Sequence, residues 1–232
     1  MDTFHHFSTI IDHLLLEDYW KYYFQMPFQL DYGEWIDDEK TLMITCGATR
    51  CCIVDSNYDW VVKFGINRDD ADACDREVRF YDAAMRENLN DCLVECKFIG
   101  VYRKKIRYFN FYDLCAVTPN LDNSEWVEDA ASQFDMKDIV IEIPLYAYRR
   151  VEDACIPWNL SKEDYDLGYN LNSPIAQNFV IVAVALWKNW GEKLFWKFDT
   201  FCRKYKIDDL HSGNIGEVDG HLVILDYAGY RG

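Results

Sequence analysis

Three hard oxygen donors sit close together in the stretch DDLHSGNIGEVDGHLVILDYAGY, which runs from Asp208 to Tyr230: Asp209, Asn214 and Asp226. The segments NIGEV and HLVIL flank Asp219-Gly220, a dipeptide favoured in two-residue hairpin turns. A hairpin there brings its ends together, so that Asn214, just before the first strand, and Asp226, just after the second, reach the same end of the ladder. Asp209, in the preceding loop, joins them. Carboxamide and carboxylate oxygens so placed suit Mg²⁺, which usually binds through one or two carboxylates plus substrate phosphates. A further carboxylate nearby can orient or deprotonate an attacking hydroxyl. Asp and Asn are also ordinary turn and cap residues, so it is the joint spacing of the three, and not any one of them, that points to chemistry.

Asp209-Leu210-His211-Ser212-Gly213-Asn214 resembles the catalytic loop of protein-kinase-like phosphotransferases, particularly the aminoglycoside and choline kinase branch. Asp226-Tyr227-Ala228-Gly229 resembles the element in which that superfamily keeps its metal-binding Asp. The resemblance implies Asp209 as catalytic base, Asn214 and Asp226 as Mg²⁺ ligands, and ATP as phosphoryl donor. It also implies two upstream partners. Lys63, in DWVVKF, resembles the strand lysine that holds the α and β phosphates, and Glu77, in CDREVRFYDAA, resembles the helix glutamate that pairs with that lysine. In CGATR, Gly47, Ala48 and Thr49 are small enough to let backbone N–H groups approach a phosphate, and Arg50 adds charge; the same stretch also reads as a plain hairpin turn. Residues 142–148 fall where the adenine-contacting hinge would lie.

The fold so implied is α+β, a bilobal protein-kinase-like arrangement with a β-rich N-lobe and a truncated helical C-lobe, and the resemblance spans roughly residues 41–230. Residues 1–40 read as a helical extension, 41–147 as the N-lobe and 148–232 as a minimal C-lobe. Two departures bear on function. Ile207-Asp208 stands where eukaryotic-type kinases have His-Arg, and only six residues follow Asp226, too few for an activation segment. The sequence therefore supports two readings: an ATP- and Mg²⁺-dependent phosphotransferase with an unknown acceptor, or a pseudokinase-like module acting through a protein partner. The compact form is of a bacterial or phage type.

The elements that must position these residues follow from pattern. The N-terminal stretch MDTFHHFSTIIDHLLLEDYW reads as an amphipathic helix without a basic leader. TLMIT, CCIV and WVVKF read as strands, residues 70–89 as a helix with acidic residues near its start, and CKFIGVYR with RYFNFYDLCAV, then DIVIEIPLYAYR, as two further strand-like stretches. Residues 120–138 read as a polar loop, and the chain past Arg150 as a second loop. Pro174 is placed to open a helix through Trp190, and another helix, from Glu192 to Tyr205, follows Gly191.

Half the residues are hydrophobic, with 16 Tyr, 14 Phe and 8 Trp, enough for a substantial core. A net charge of −16 argues against nucleic acid or an anionic membrane surface as partner, since either would be repelled. A nucleotide is compatible with that charge only where Lys63, Arg50, backbone N–H groups or a metal supply local help. The nine cysteines form no CxxC pair, which suggests reduced thiols in a cytoplasmic protein.

Overall fold

The computed structural model describes residues 2–15, 18–21, 35–37, 40–46, 50–65, 68–110, 137–156 and 159–228. The chain is α+β, with a seven-stranded and a three-stranded sheet. It divides into two compact units, the first of residues 1–71 and 98–147 and the second of residues 72–97 and 148–232. None of its described helices is long and apolar enough to cross a membrane.

The first unit is built on β1 (Asp18–Lys21), β2 (Trp35–Asp37), β3 (Lys40–Cys46), β4 (Arg50–Asp55), β5 (Trp60–Gly65), β6 (Cys96–Asn110) and β7 (Lys137–Arg149), in the order β1-β6-β7-β5-β4-β3-β2. Strands β2 to β5 pair antiparallel, and β1 runs parallel to β6. Alternation along β4 and β5 buries Cys51, Ile53, Val62 and Phe64 on one face, as a period of two requires. That face is covered by α1 (Thr3–Leu14), whose Phe7, Ile11 and Leu14 belong to the same buried cluster. The N-terminal helix is thus part of the first unit's core. Its approach to the sheet depends on Gly100, which has φ +150°; a Cβ there would meet the Phe4 ring at 2.7 Å. Gly100→Ala is expected to cost about 1–3 kcal/mol through overpacking and backbone strain, read as a lowered urea midpoint with an unchanged slope.

The stretch CKFIGVYR with the start of RYFNFYDLCAV forms one element: β6 runs unbroken for 15 residues to Asn110. Residues 111–136, with most of the stretch read as a polar loop, lie outside the described residues. The expectation of reduced thiols fails at one position, because Cys51 is disulfide-bonded, while Cys52, Cys74, Cys92, Cys96, Cys155 and Cys202 are free. Cys46 stands opposite Cys51 in the β3–β4 register.

In the second unit, α2 (Arg68–Arg86), which begins in the first, leads to a 3₁₀ turn at Asn90–Cys92. The stretch after Arg150, read as a loop, contains β8 (Glu152–Asp153) and α3 (Lys162–Asn170). The helix start was signalled by Ser161-Lys162-Glu163-Asp164: the Ser161 hydroxyl accepts from the Asp164 N–H at 3.2 Å. Pro174 opens a helix as expected, capped by Ser173, but this helix, α4 (Pro174–Asn178), is short. Phe179 leaves helical geometry at φ −142°, ψ 78°, and α5 (Val180–Tyr205) follows. Gly191, at φ 76° and ψ 165°, breaks α5 where the sequence placed a boundary. Beyond it Phe195, Phe198, Phe201 and Cys202 recur at helical spacing and are all buried.

The chain then forms β9 (Ile215–Val218) and β10 (His221–Ile224), paired antiparallel with Val218 opposite His221. Asp219 and Gly220 have φ 51° and 80°, the doubly positive φ of a type I′ turn, so the expected hairpin is present. With β8 it makes the sheet β10-β9-β8.

Candidate functional site

Helix α5 fixes the hairpin. The Asn189 side chain donates to the Gly220 carbonyl at 2.8 Å and accepts from the Leu222 N–H at 2.9 Å, and Trp190 Nε1 donates to the Leu222 carbonyl at 2.8 Å. These three bonds hold the turn and β10 against α5, so the other end of the hairpin, carrying Asn214 and Asp226, is held by a short lever. Sequence reasoning did not find Asn189 or Trp190 in this role, because both lie within a helix and nothing local marks them.

The loop that precedes the hairpin is equally constrained. Lys206 ends α5 in the left-handed conformation, and the buried Ile207 and Leu210 anchor the two sides of Asp208-Asp209. His211 Nδ1 accepts from the Gly213 N–H at 3.1 Å, capping the 3₁₀ turn Ser212–Asn214. The Asn214 amide Nδ2 donates to the Asp209 carbonyl at 2.9 Å, and the Asn214 carbonyl accepts from the Leu225 N–H at 2.8 Å. Asn214 therefore ties the backbone of the loop bearing Asp209 to the residue before Asp226. With its amide nitrogen committed, Asn214 keeps its side-chain oxygen as an acceptor, which is the atom a metal would use. His211 Nε2 lies 3.9 Å from the half-buried Asp209 carboxylate.

Glu77 belongs to the same unit and is fully buried. Its carboxylate accepts from the Tyr227 backbone N–H at 3.0 Å and from the Tyr148 hydroxyl in a short hydrogen bond. Tyr227 is held in turn, its hydroxyl donating to the Val94 carbonyl at 3.0 Å and lying 3.0 Å from Cys96 Sγ. Burial, and then the Glu77 charge, push the Tyr148 phenol well above its ordinary pKa; burial is also the main cause of the rise at Tyr227. Both remain protonated donors. A buried carboxylate needs such donors, because a charge removed from water without them is costly. The position of Asp226 is thus fixed on both sides, by Asn214 through Leu225 and by Glu77 through Tyr227. Tyr148 had been placed in a hinge without a role.

The remaining candidates belong to the first unit. Lys63 stands opposite Cys52 in the β4–β5 ladder, and Arg50 precedes Cys52 by two positions on the same strand. All three alternate with the buried residues Cys51, Phe64 and Ile53, so Lys63 and Arg50 share the face opposite α1. Burial raises the Cys52 thiol pKa, and the charges of Lys63 and then Arg50 act against that rise, which shows both cations to be close to it. Gly47, Ala48 and Thr49 lie outside the described residues.

Among the described residues no group of three or more His, Cys, Asp or Glu side chains could hold a metal ion. An amide oxygen and one carboxylate, such as Asn214 and Asp226 carry, do not make an all-protein cage; a cation held by so few protein ligands completes its shell with water or phosphate oxygens. Comparison of the chain with protein-family models, with curated proteins and with solved structures found no match.

Proposed function

We propose that the chain is an ATP- and Mg²⁺-dependent phosphotransferase of protein-kinase-like, bilobal type. The observation that carries the reading is the tie among Asp209, Asn214, Asp226 and Glu77: the Asn214 amide bonds the Asp209 carbonyl, while the Glu77 carboxylate bonds the backbone of Tyr227, next to Asp226. These ties hold the chain at Asp209, Asn214 and Asp226 in a fixed geometry, while the Asp209 and Asp226 carboxylates themselves take no part in them. The value of those carboxylates lies in handling a cation and a proton.

On this reading Asn214 and Asp226 hold Mg²⁺, which when bound offsets charge on the phosphates. Asp209 accepts the proton of an acceptor hydroxyl and fixes its direction of attack. Lys63 and Arg50 supply charge for the phosphates, the backbone of Gly47, Ala48 and Thr49 approaches the phosphate chain, and Glu77 holds the backbone beside Asp226. Catalysis of this kind is mostly positioning and electrostatic stabilisation, which is what a rigid hairpin and loop provide.

A thermal-shift titration with ATP, with and without Mg²⁺, tests the reading. Mg-ATP at about 100 times its Kd is expected to stabilise the protein by about 2.7 kcal/mol, or about 5–10 °C in Tm. Chelation with EDTA should remove most of that shift. Asp226→Ala should lose the Mg²⁺-dependent part of the shift, measured against its own unliganded Tm. A wild-type protein indifferent to Mg-ATP, or an Asp226→Ala variant that responds as wild type does, overturns the assignment; the first result leaves the pseudokinase-like module with a protein partner as the better reading.

A further inference from the structure

The second unit carries a cavity of about 540 Å³, bounded by the 90–95 segment, by Tyr81 of α2, by Arg149 and Val151, and by the β9–β10 hairpin. None of Asp209, Asn214, Asp226 or Glu77 lines it. Its volume falls within the usual range for small-molecule sites.

Of the polar groups that line it, Asn90 donates to the Asp91 carboxylate at 2.8 Å, while Glu95, Arg149, Tyr81 and His221 are uncommitted. Glu95 and Arg149 are neighbours, joined through the backbone by the Arg149 N–H donating to the Glu95 carbonyl at 2.8 Å. Among the described residues their side chains form no ion pair with each other or with any other group, and the Tyr81 hydroxyl has no hydrogen-bond partner. His221 supplies a further wall, its ring stacked 6.2 Å from Trp190, and its Nε2 is buried with no hydrogen-bond partner. A solvated surface charge needs no explanation, but a buried ring nitrogen left unpaired does. Leu93, Val94, Val151, Val218 and Val223 supply an apolar lining between these groups.

A ligand that suits this set carries a cation for Glu95, with Asp91 beside it, an anion for Arg149, and a branched apolar body for the valines. We infer that this cavity is a binding site for a zwitterionic ligand, an amino acid or short peptide with an aliphatic side chain, separate from the phosphotransferase site. A guanidinium pairs with a carboxylate through two parallel hydrogen bonds, which gives direction as well as attraction. The unpaired carboxylate and guanidinium on one rim are then the two ends of a single receptor. The inference does not rest on the proposed activity, and its test uses no nucleotide.

The full-length protein is titrated with L-leucine, with leucyl-leucine, with 3-methylbutylamine, which lacks the carboxylate, and with 4-methylpentanoate, which lacks the ammonium. Binding is followed by calorimetry and by the His221 ring resonances, assigned with a His221→Gln variant; the chain has five histidines, few enough to resolve. Leucine or leucyl-leucine is expected to shift the His221 signals saturably, and the tighter of the two identifies the source as a free amino acid or a peptide. Each single-charge analogue should bind about tenfold more weakly or worse. Arg149→Gln should weaken leucine binding by a similar factor and leave 3-methylbutylamine unaffected, while Glu95→Gln should do the reverse for 4-methylpentanoate. Absence of any saturable shift at His221 with either zwitterion, or equal binding of zwitterion and analogues in both variants, overturns the inference. Both substitutions are at solvent-accessible positions, so loss of the fold does not confuse the result.

Discussion

Asp209→Asn is expected to lower the turnover of Mg-ATP by about 10²- to 10⁴-fold, the range for removing a general base. The substitution keeps the shape of the side chain. It also keeps the one bond by which Asp209 is seen to hold the loop, because the Asn214 amide donates to the backbone carbonyl of Asp209 and not to its carboxylate. Leu210 and Ile207 remain buried on either side. The variant should therefore melt with the wild type and bind Mg-ATP as well as it does, with the loss confined to the chemical step; such a loss in turnover with binding retained is the mark of an interaction made only in the transition state. Because the acceptor is unknown, turnover is read as phosphate release from ATP, with water as acceptor. Turnover within a few-fold of wild type would remove Asp209 from its role. An equal loss of nucleotide binding would instead make it a structural residue of the loop.

That experiment rests on a loop whose outline could be read in the sequence and on restraints that could not. The turn at Asp219-Gly220 was legible because backbone geometry with two positive φ angles selects those residue types almost alone. The break at Gly191 and the start at Pro174 were legible for the same kind of reason: each is a local backbone requirement, written in one residue. Strands β4 and β5 were legible from the β-branched residues of CCIV and WVVKF and the turn residues between them, and the structure adds the alternation that puts Lys63 and Arg50 on the face away from the core. Contacts between residues distant in sequence left no such mark. Asn189 reaches the hairpin across 31 residues, Tyr148 reaches Glu77 across 71, and Glu77 reaches Tyr227 across 150. A polar residue on a helix looks the same in sequence whether it is solvated or clamps a turn. Glu77 shows the difficulty well: in a chain with 40 acidic residues nothing local marks it as buried, yet it is fully buried. The charged middle of β6, with Arg103, Lys104, Lys105 and Arg107, is accommodated in a strand because those charges find carboxylates across the sheet and from α1, as Arg103 does with Glu142 and Lys104 with Asp12.

The burial of Glu77 sets the second large expectation: Glu77→Ala should destabilise the second unit by about 3–5 kcal/mol, the cost of breaking a buried charged network from one side. Removal of the carboxylate leaves the Tyr148 hydroxyl and the Tyr227 N–H without the acceptor that both now use. Glu77→Gln should cost less, about 1–2 kcal/mol, since one amide oxygen can still accept from Tyr227. A structural role and a role in positioning Asp226 are separated by adding Tyr148→Phe, which removes only the second donor. Tyr148→Phe alone should lower stability, but in the Glu77→Ala background it should change little, because the partner is already gone; that non-additivity is the signature of direct coupling. The pH dependence gives an independent sign. Tyr148 has a folded pKa raised above its unfolded value of 10.0, so its contribution is complete below pH 10 and is lost as the pH climbs toward the folded value. Stability should therefore fall above pH 10 in the wild type, and less steeply in Tyr148→Phe. If the two substitutions prove additive, and the alkaline slopes coincide, then Glu77 does not depend on Tyr148, and the buried bond between them does not fix the residue that holds the backbone beside Asp226.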